Sequence, residues 1–130
     1  MLGERVENVL TFGSHGSTFG GNPVVCAGGV EIVKTVSDEK FLASVRRKGE
    51  YFVDKLSQMK NVSYTRGKGL ILGIKVKGDM DAHTIMEKCI EKGLLILTAK
   101  GDVCRFLPPL NITYDEIDAG LKIFEEVIGG

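Results

Sequence analysis

Apolar side chains fall at Phe41, Leu42, Val45, Phe52, Val53, Leu56 and Met59, with Arg46, Arg47, Lys48, Glu50, Asp54 and Lys55 between them. Positions three and four apart share one face of a helix, so this spacing predicts an amphipathic helix capped at Ser37 or Asp38 and ending near Met59. A second stripe, Ile85, Met86, Cys89 and Ile90, predicts a helix over Ala82 to Lys92, with Asp81 before it and Gly93 as its C-terminal stop. A third, Ile117, Leu121, Phe124 and Ile128, follows Thr113-Tyr114-Asp115-Glu116, the spacing of a capping box. Short β-branched and aliphatic runs predict strands at Val62–Thr65, Leu70–Val76, Leu94–Leu97 and Val103–Leu107. The last two are joined by a turn at Lys100-Gly101-Asp102, and Pro108 and Pro109 end the second.

The N-terminal region departs from this pattern. Residues 1–22 carry Gly13, Gly16, Gly20 and Gly21 with little apolar periodicity and read as an arm. Asn22 is a good N-cap and Pro23 suits a first helical position, so a helix is predicted from there. Its opening, Val24 to Val30, is small and apolar on every side, which predicts burial on every side.

Strands and helices joined by short links imply an α/β fold of the α+β type. The expected form is a small, mostly antiparallel sheet with helices packed on one face, preceded by the N-terminal arm and a linking helix. The arm takes residues 1–21 and the domain residues 22–130.

Composition narrows the functional classes. With 17 Lys plus Arg against 17 Asp plus Glu, the chain lacks the basic excess that nucleic acid or an anionic membrane requires. There is no Trp, which argues against an aromatic stacking platform. Cys26, Cys89 and Cys104 are odd in number and form no CxxC pair, so a disulfide framework is not expected and a reducing, cytoplasmic setting is. His15 and His83 have no ligand-like spacing, and no metal site is expected. No apolar run approaches the ~20 residues of a membrane span. The mixed, acidic Met1–Glu7 does not read as a signal peptide, which leaves the Asn61 and Asn111 sequons without meaning.

Three segments are candidates for chemistry. Gly13 to Pro23 sets glycines and hydroxyls just ahead of a helix start; it reads either as a flexible glycine-rich arm or as a loop that wraps an anion such as phosphate. It is neither a P-loop nor a dinucleotide fingerprint. In Arg66 to Leu70, Gly67 and Gly69 read as a bend into the strand that follows, in preference to a ligand contact. Strand alternation places Arg105 on one face with Val103 and Leu107, where its charge calls for an anion, an ion pair or access to water. The cysteines read as small core residues.

His15-Gly16-Ser17-Thr18-Phe19-Gly20-Gly21-Asn22-Pro23 resembles a segment of the class III aminotransferases of fold type I. Arg66-Gly67-Lys68-Gly69-Leu70 and Arg105-Phe106-Leu107-Pro108-Pro109-Leu110 are similar to two further segments of that class, in the same order. Gly93 to Ala99 looks most like its acetylornithine-type members, and the resemblance runs from about residue 9 to the end. It implies the C-terminal small domain of such an enzyme, with pyridoxal phosphate as cofactor and a homodimer as assembly. It further implies that Ser17 and Thr18 bind the cofactor phosphate of the neighbouring subunit, and that Arg105 binds the substrate α-carboxylate. The implied reaction moves an amino group between N-acetylornithine and 2-oxoglutarate, in arginine synthesis. Ornithine, succinylornithine and 4-aminobutyrate are alternative donors, and a free-standing binding module of the same fold is the alternative without catalysis. The lysine that carries the cofactor in the family lies before the first of these segments, so the chain alone is expected to be inactive.

Overall fold

The structure is a computed structural model that describes residue 9 and residues 13–129. The arm expected at 1–21 lies partly outside the described residues. Among the described residues eight elements follow in order: α1 (Pro23–Val36), α2 (Glu39–Gln58), β1 (Val62–Lys68), β2 (Ile71–Val76), α3 (Ala82–Glu91), β3 (Leu97–Ala99), β4 (Val103–Phe106) and α4 (Tyr114–Gly129). They fall into two compact units, Met1–Asp38 and Glu39–Gly130.

The first unit contains α1. Pro23 opens it and Asn22 caps it, the carboxamide oxygen accepting from the Val25 amide at 3.0 Å. The expectation of burial on every side is not met within this chain, because α1 has no buried residue. Val24 is 82% exposed, and Val25, Val30, Ile32 and Val33 are also open.

The second unit is a four-stranded sheet in the order β1-β2-β4-β3, with every neighbouring pair antiparallel. Alternation gives each strand an inner and an outer face. Leu72, Ile74 and Val76 of β2, with Cys104 and Phe106 of β4, join one core with Phe52 and Leu56 of α2, Ile85 and Cys89 of α3, and Ile117, Leu121 and Phe124 of α4. Three rings run edge to face through it, Phe52 to Phe106 at 5.2 Å and Phe106 to Phe124 at 5.1 Å between centroids. The expected antiparallel sheet with one helical face is what forms.

The boundaries differ in instructive ways. β1 runs on to Lys68, so Arg66 lies inside a strand and Gly69-Leu70 makes the hairpin turn. The strand expected at Leu94 starts only at Leu97. Gly93 takes φ 87° and ends α3 in a Schellman motif, where the Leu94 amide turns back to the Cys89 carbonyl at 2.8 Å and the Gly93 amide to Ile90 at 2.9 Å. The chain needs the next residues to leave that cap before it can pair. Ile90 is 45% exposed and does not belong to the buried stripe of α3. The capping box of α4 forms as expected: the Glu116 carboxylate accepts from the Thr113 amide at 2.7 Å, and the Glu116 amide donates to the Thr113 hydroxyl at 3.2 Å.

Helix α2 crosses the β1–β2 turn at Gly49, where an added Cβ would stand 2.4 Å from the Gly69 carbonyl oxygen. Alanine in a helix interior normally stabilises by about 0.5–1 kcal/mol relative to glycine. Here backbone must move to admit the methyl, and such overpacking costs roughly 1–3 kcal/mol. Gly49→Ala is therefore expected to lower the urea midpoint of the second unit, while an unchanged or raised midpoint would remove the close approach as a constraint.

Candidate functional site

Ser17 and Thr18 sit on one exposed turn in the first unit, just ahead of α1. Gly13 and Gly21 bracket it at φ 81° and 75°. Asn22 fastens its end: the side-chain amide donates to the Phe19 carbonyl at 2.8 Å, while the side-chain oxygen caps α1. A Cβ on Gly20 would stand 3.0 Å from the Ser17 Cβ, so the glycine allows the turn to fold over that serine. Among the described residues the Ser17 and Thr18 hydroxyls have no hydrogen-bond partner. Two exposed hydroxyl donors in a glycine-bracketed turn ahead of the Asn22 cap suit a phosphate. The donor set thus fits the phosphate of a cofactor such as pyridoxal phosphate.

Arg105 belongs to the second unit. Cys104 and Phe106 are buried on the helical side, so the pleat turns Arg105 to the other face, where it is exposed. Pairing sets it in a row across all four strands: Arg66 opposite Gly73, Gly73 opposite Arg105, and Arg105 opposite Leu97. Arg66, Gly73, Val103 and Arg105 line one open cavity of about 280 Å³. A Cβ on Gly73 would stand 3.1 Å from Val103 Cγ1 and 3.4 Å from both Cγ and Nε of Arg66, so the floor of the cavity exists because residue 73 has no side chain. Neither guanidinium forms an ion pair or hydrogen bond among the described residues.

The turn that leads into β4 is held by Asp102. Its backbone is left-handed at φ 56°, a conformation aspartate tolerates better than most residues. Its carboxylate accepts from the Lys75 ammonium of β2 and from the Ala82 amide at the start of α3. The Lys75 and Ala82 hydrogen bonds hold the Asp102 carboxyl below its ordinary value of 3.8. In the same way the hydrogen bond from the Thr113 amide lowers the Glu116 carboxyl from 4.5. The buried thiols move the other way. Desolvation raises Cys89 to about 11 and Cys104 to about 12, which keeps both protonated near neutrality and matches the core role expected of them, whereas Cys26, expected in the core as well, is exposed. Among the described residues there is no group of His, Cys, Asp and Glu able to hold a metal ion, and no helix long and apolar enough to cross a membrane.

Residues 1–128 match the family described as Aminotransferase class-III. The chain belongs to the class III aminotransferases. It is 39% identical over 133 residues to the mitochondrial acetylornithine aminotransferase of Debaryomyces hansenii, covering 98% of this chain and 28% of that protein. It is 42% identical over 130 residues to the acetylornithine aminotransferase of Clostridium acetobutylicum, covering 96% and 33%. Among solved structures, the ornithine aminotransferase of Toxoplasma gondii superposes with a TM-score of 0.73 at 35% identity, over 95% of this chain and 30% of that one. The chain thus spans a third or less of the length of these relatives. Class III aminotransferases use pyridoxal phosphate, and the T. gondii enzyme holds it at partial occupancy in its active site.

Sequence reasoning singled out Ser17, Thr18 and Arg105 but missed Gly73 and Asp102, and for the Arg66 segment it favoured a bend over a ligand contact. The missed signal was register: pairing Arg66 with Gly73 across the hairpin would have placed the two arginines on one face.

Because the Asp102 and Glu116 carboxyls titrate lower in the folded state than in the unfolded chain, unfolding takes up protons in acid. Their stabilising effect is complete above the unfolded values near 3.8 and 4.5 and is lost as pH falls through the lower folded values. A urea midpoint measured from pH 6 downward is expected to fall below about pH 4.5. Asp102→Asn should flatten part of that fall; an unaltered profile would mean that Asp102 carries none of it.

Proposed function

We propose that this chain is the C-terminal, small-domain part of a pyridoxal-phosphate-dependent aminotransferase that moves an amino group between N-acetylornithine and 2-oxoglutarate. The observation that carries the reading is Arg105, an exposed guanidinium with no counter-ion among the described residues, placed by β4 on the open face of the sheet. A planar guanidinium can hold both oxygens of a carboxylate and so fix the orientation of an amino acid. On this reading Arg105 binds the substrate α-carboxylate, and Ser17 and Thr18 donate to the cofactor phosphate of the neighbouring subunit. The cofactor, when bound, supplies an electron sink for the transfer. The acetylornithine aminotransferase relatives support the donor, while the likeness to the T. gondii enzyme favours ornithine as the second choice.

A homodimer is part of the proposal. The open valines of α1, with Ile32, make an apolar surface of the kind that marks an interface. The domain is taken to start at residue 22, with residues 1–21 as an arm that reaches the partner. All three cysteines are free, which fits a reducing, cytoplasmic location.

The isolated chain, supplied with pyridoxal phosphate, is expected to turn over neither N-acetylornithine nor ornithine above a buffer control. Turnover would overthrow the view that the catalytic lysine lies elsewhere. In an enzyme that joins this chain to the rest of its relatives' length, Arg105→Lys keeps the charge and loses the fork. Efficiency toward amino donor and 2-oxoglutarate should fall by about a hundredfold or more, or ~3 kcal/mol. Unchanged kcat/KM would return Arg105 to a solvated surface role.

In the same enzyme Thr18→Ala removes a hydroxyl donor to phosphate, a charge-assisted bond of ~1.5–3 kcal/mol. Cofactor affinity should weaken by about ten- to a hundredfold with the fold intact. Equilibrium dialysis that shows the same dissociation constant for both forms would take Thr18 out of the site.

A further inference from the structure

The backbone of β4 sets where Arg105 stands. Its side chain is exposed and points away from the core. Across β2 it faces Gly73, which offers no side chain to lean on, and across β3 it faces Leu97, which is 50% exposed. Packing of Cys104 and Phe106 decides which face Arg105 takes. How firmly it stands there depends on the ladder, and that ladder is short. β2 and β4 pair over Leu72 to Ile74 against Phe106 to Cys104, so pairing stops at the residue next to Arg105.

Past that point the clamp is a side chain. The Asp102 carboxylate accepts from the Lys75 ammonium of β2 and from the Ala82 amide that opens α3, and the Asp102 carbonyl accepts from the same ammonium at 3.2 Å. Two residues on, the Cys104 thiol reaches the Ala82 carbonyl at 4.0 Å. Ala82 is 4% exposed and belongs to the core, so the leading end of β4 is docked on a fixed point.

We propose that Asp102 is a positioning residue for Arg105: it ties the start of β4 to β2 and α3, and so holds the guanidinium where a substrate carboxylate must meet it. This rests on the reading of Arg105 as a carboxylate binder and deepens it. Asp102 touches no substrate and acts only through the strand. A fork that grips both carboxylate oxygens tolerates little displacement, since a shift of about 1 Å can cost roughly a hundredfold.

The test uses the enzyme that joins this chain to the rest of its relatives' length, with N-acetylornithine and 2-oxoglutarate. Asp102→Gly removes the carboxylate without strain at φ 56°. It is expected to raise KM for both substrates about tenfold. A mere loss of fold lowers the amount of active enzyme, and with it the apparent kcat, and leaves KM in place. Asp102→Asn keeps an acceptor for the Ala82 amide and loses the charge; it serves if the glycine variant does not fold, and should raise KM about threefold. In the Arg105→Lys background, where the fork is already gone, Asp102→Gly should change KM by less than about twofold. In this chain, hydrogen exchange at the β4 amides should quicken in Asp102→Asn while that of α2 stays as it was. Unchanged KM in both Asp102 variants, beside a loss in Arg105→Lys, refutes the positioning role and leaves the Arg105 reading intact. An equal rise in KM with and without the Arg105 fork refutes it too, because Asp102 then acts elsewhere. Exchange that quickens alike in β4 and α2 makes Asp102 a support of the whole fold and overturns the proposal as well. Unchanged kcat/KM in Arg105→Lys removes the Arg105 reading, and this proposal with it.

Discussion

Phe106 cannot enter the core without turning Arg105 away from it. Side chains alternate along a strand, and β4 places Cys104 and Phe106 among the helices. The Phe106 ring lies against Phe52 of α2 and Phe124 of α4, so one side chain ties strand, second helix and last helix together. A slip of β4 by one residue would bury a guanidinium and expose a phenyl ring, a large penalty twice over. The packing that stabilises the domain therefore also presents its candidate functional charge, and no separate device is needed to aim it.

Two further constraints shape the face on which that charge stands. Gly73 keeps the middle of the sheet low, so that Arg66, Val103 and Arg105 close around an open cavity. Asp102 holds the turn before β4 with one carboxylate that receives both the Lys75 ammonium and the first amide of α3. It neutralises the single cation of β2, while Arg66 and Arg105 have no ion pair among the described residues. The hydroxyl turn at Ser17 and Thr18 is built on a different plan. It uses glycines and an asparagine bracket, close in sequence and independent of the sheet.

The helices were legible because each carries its own signals. The Asn22-Pro23 start, the Asp81 cap, the Thr113–Glu116 box and the Gly93 stop all act within a few residues, and all form. The antiparallel sheet was legible in outline from its tight turns. The errors lay where a local pattern met a distant one. Leu94 to Ile96 reads as a strand by composition, yet the Schellman cap takes the Leu94 amide first. Ile90 fits the helical spacing, yet it stays 45% exposed.

The sequence by itself determined the type and order of the elements, the caps, the class of protein and the names of three candidate residues, because periodicity, capping and motif are properties of neighbours along the chain. Only the tertiary structure decided which strand lies beside which, and so that Arg66 and Arg105 stand on either side of Gly73. That proximity depends on the register of three strands, two of them more than 25 residues apart in sequence. Only it decided, too, that Asp102 serves α3 and β2 as well as its own turn, since a carboxylate's partners across 20 and 27 residues are set by packing and leave no periodic trace.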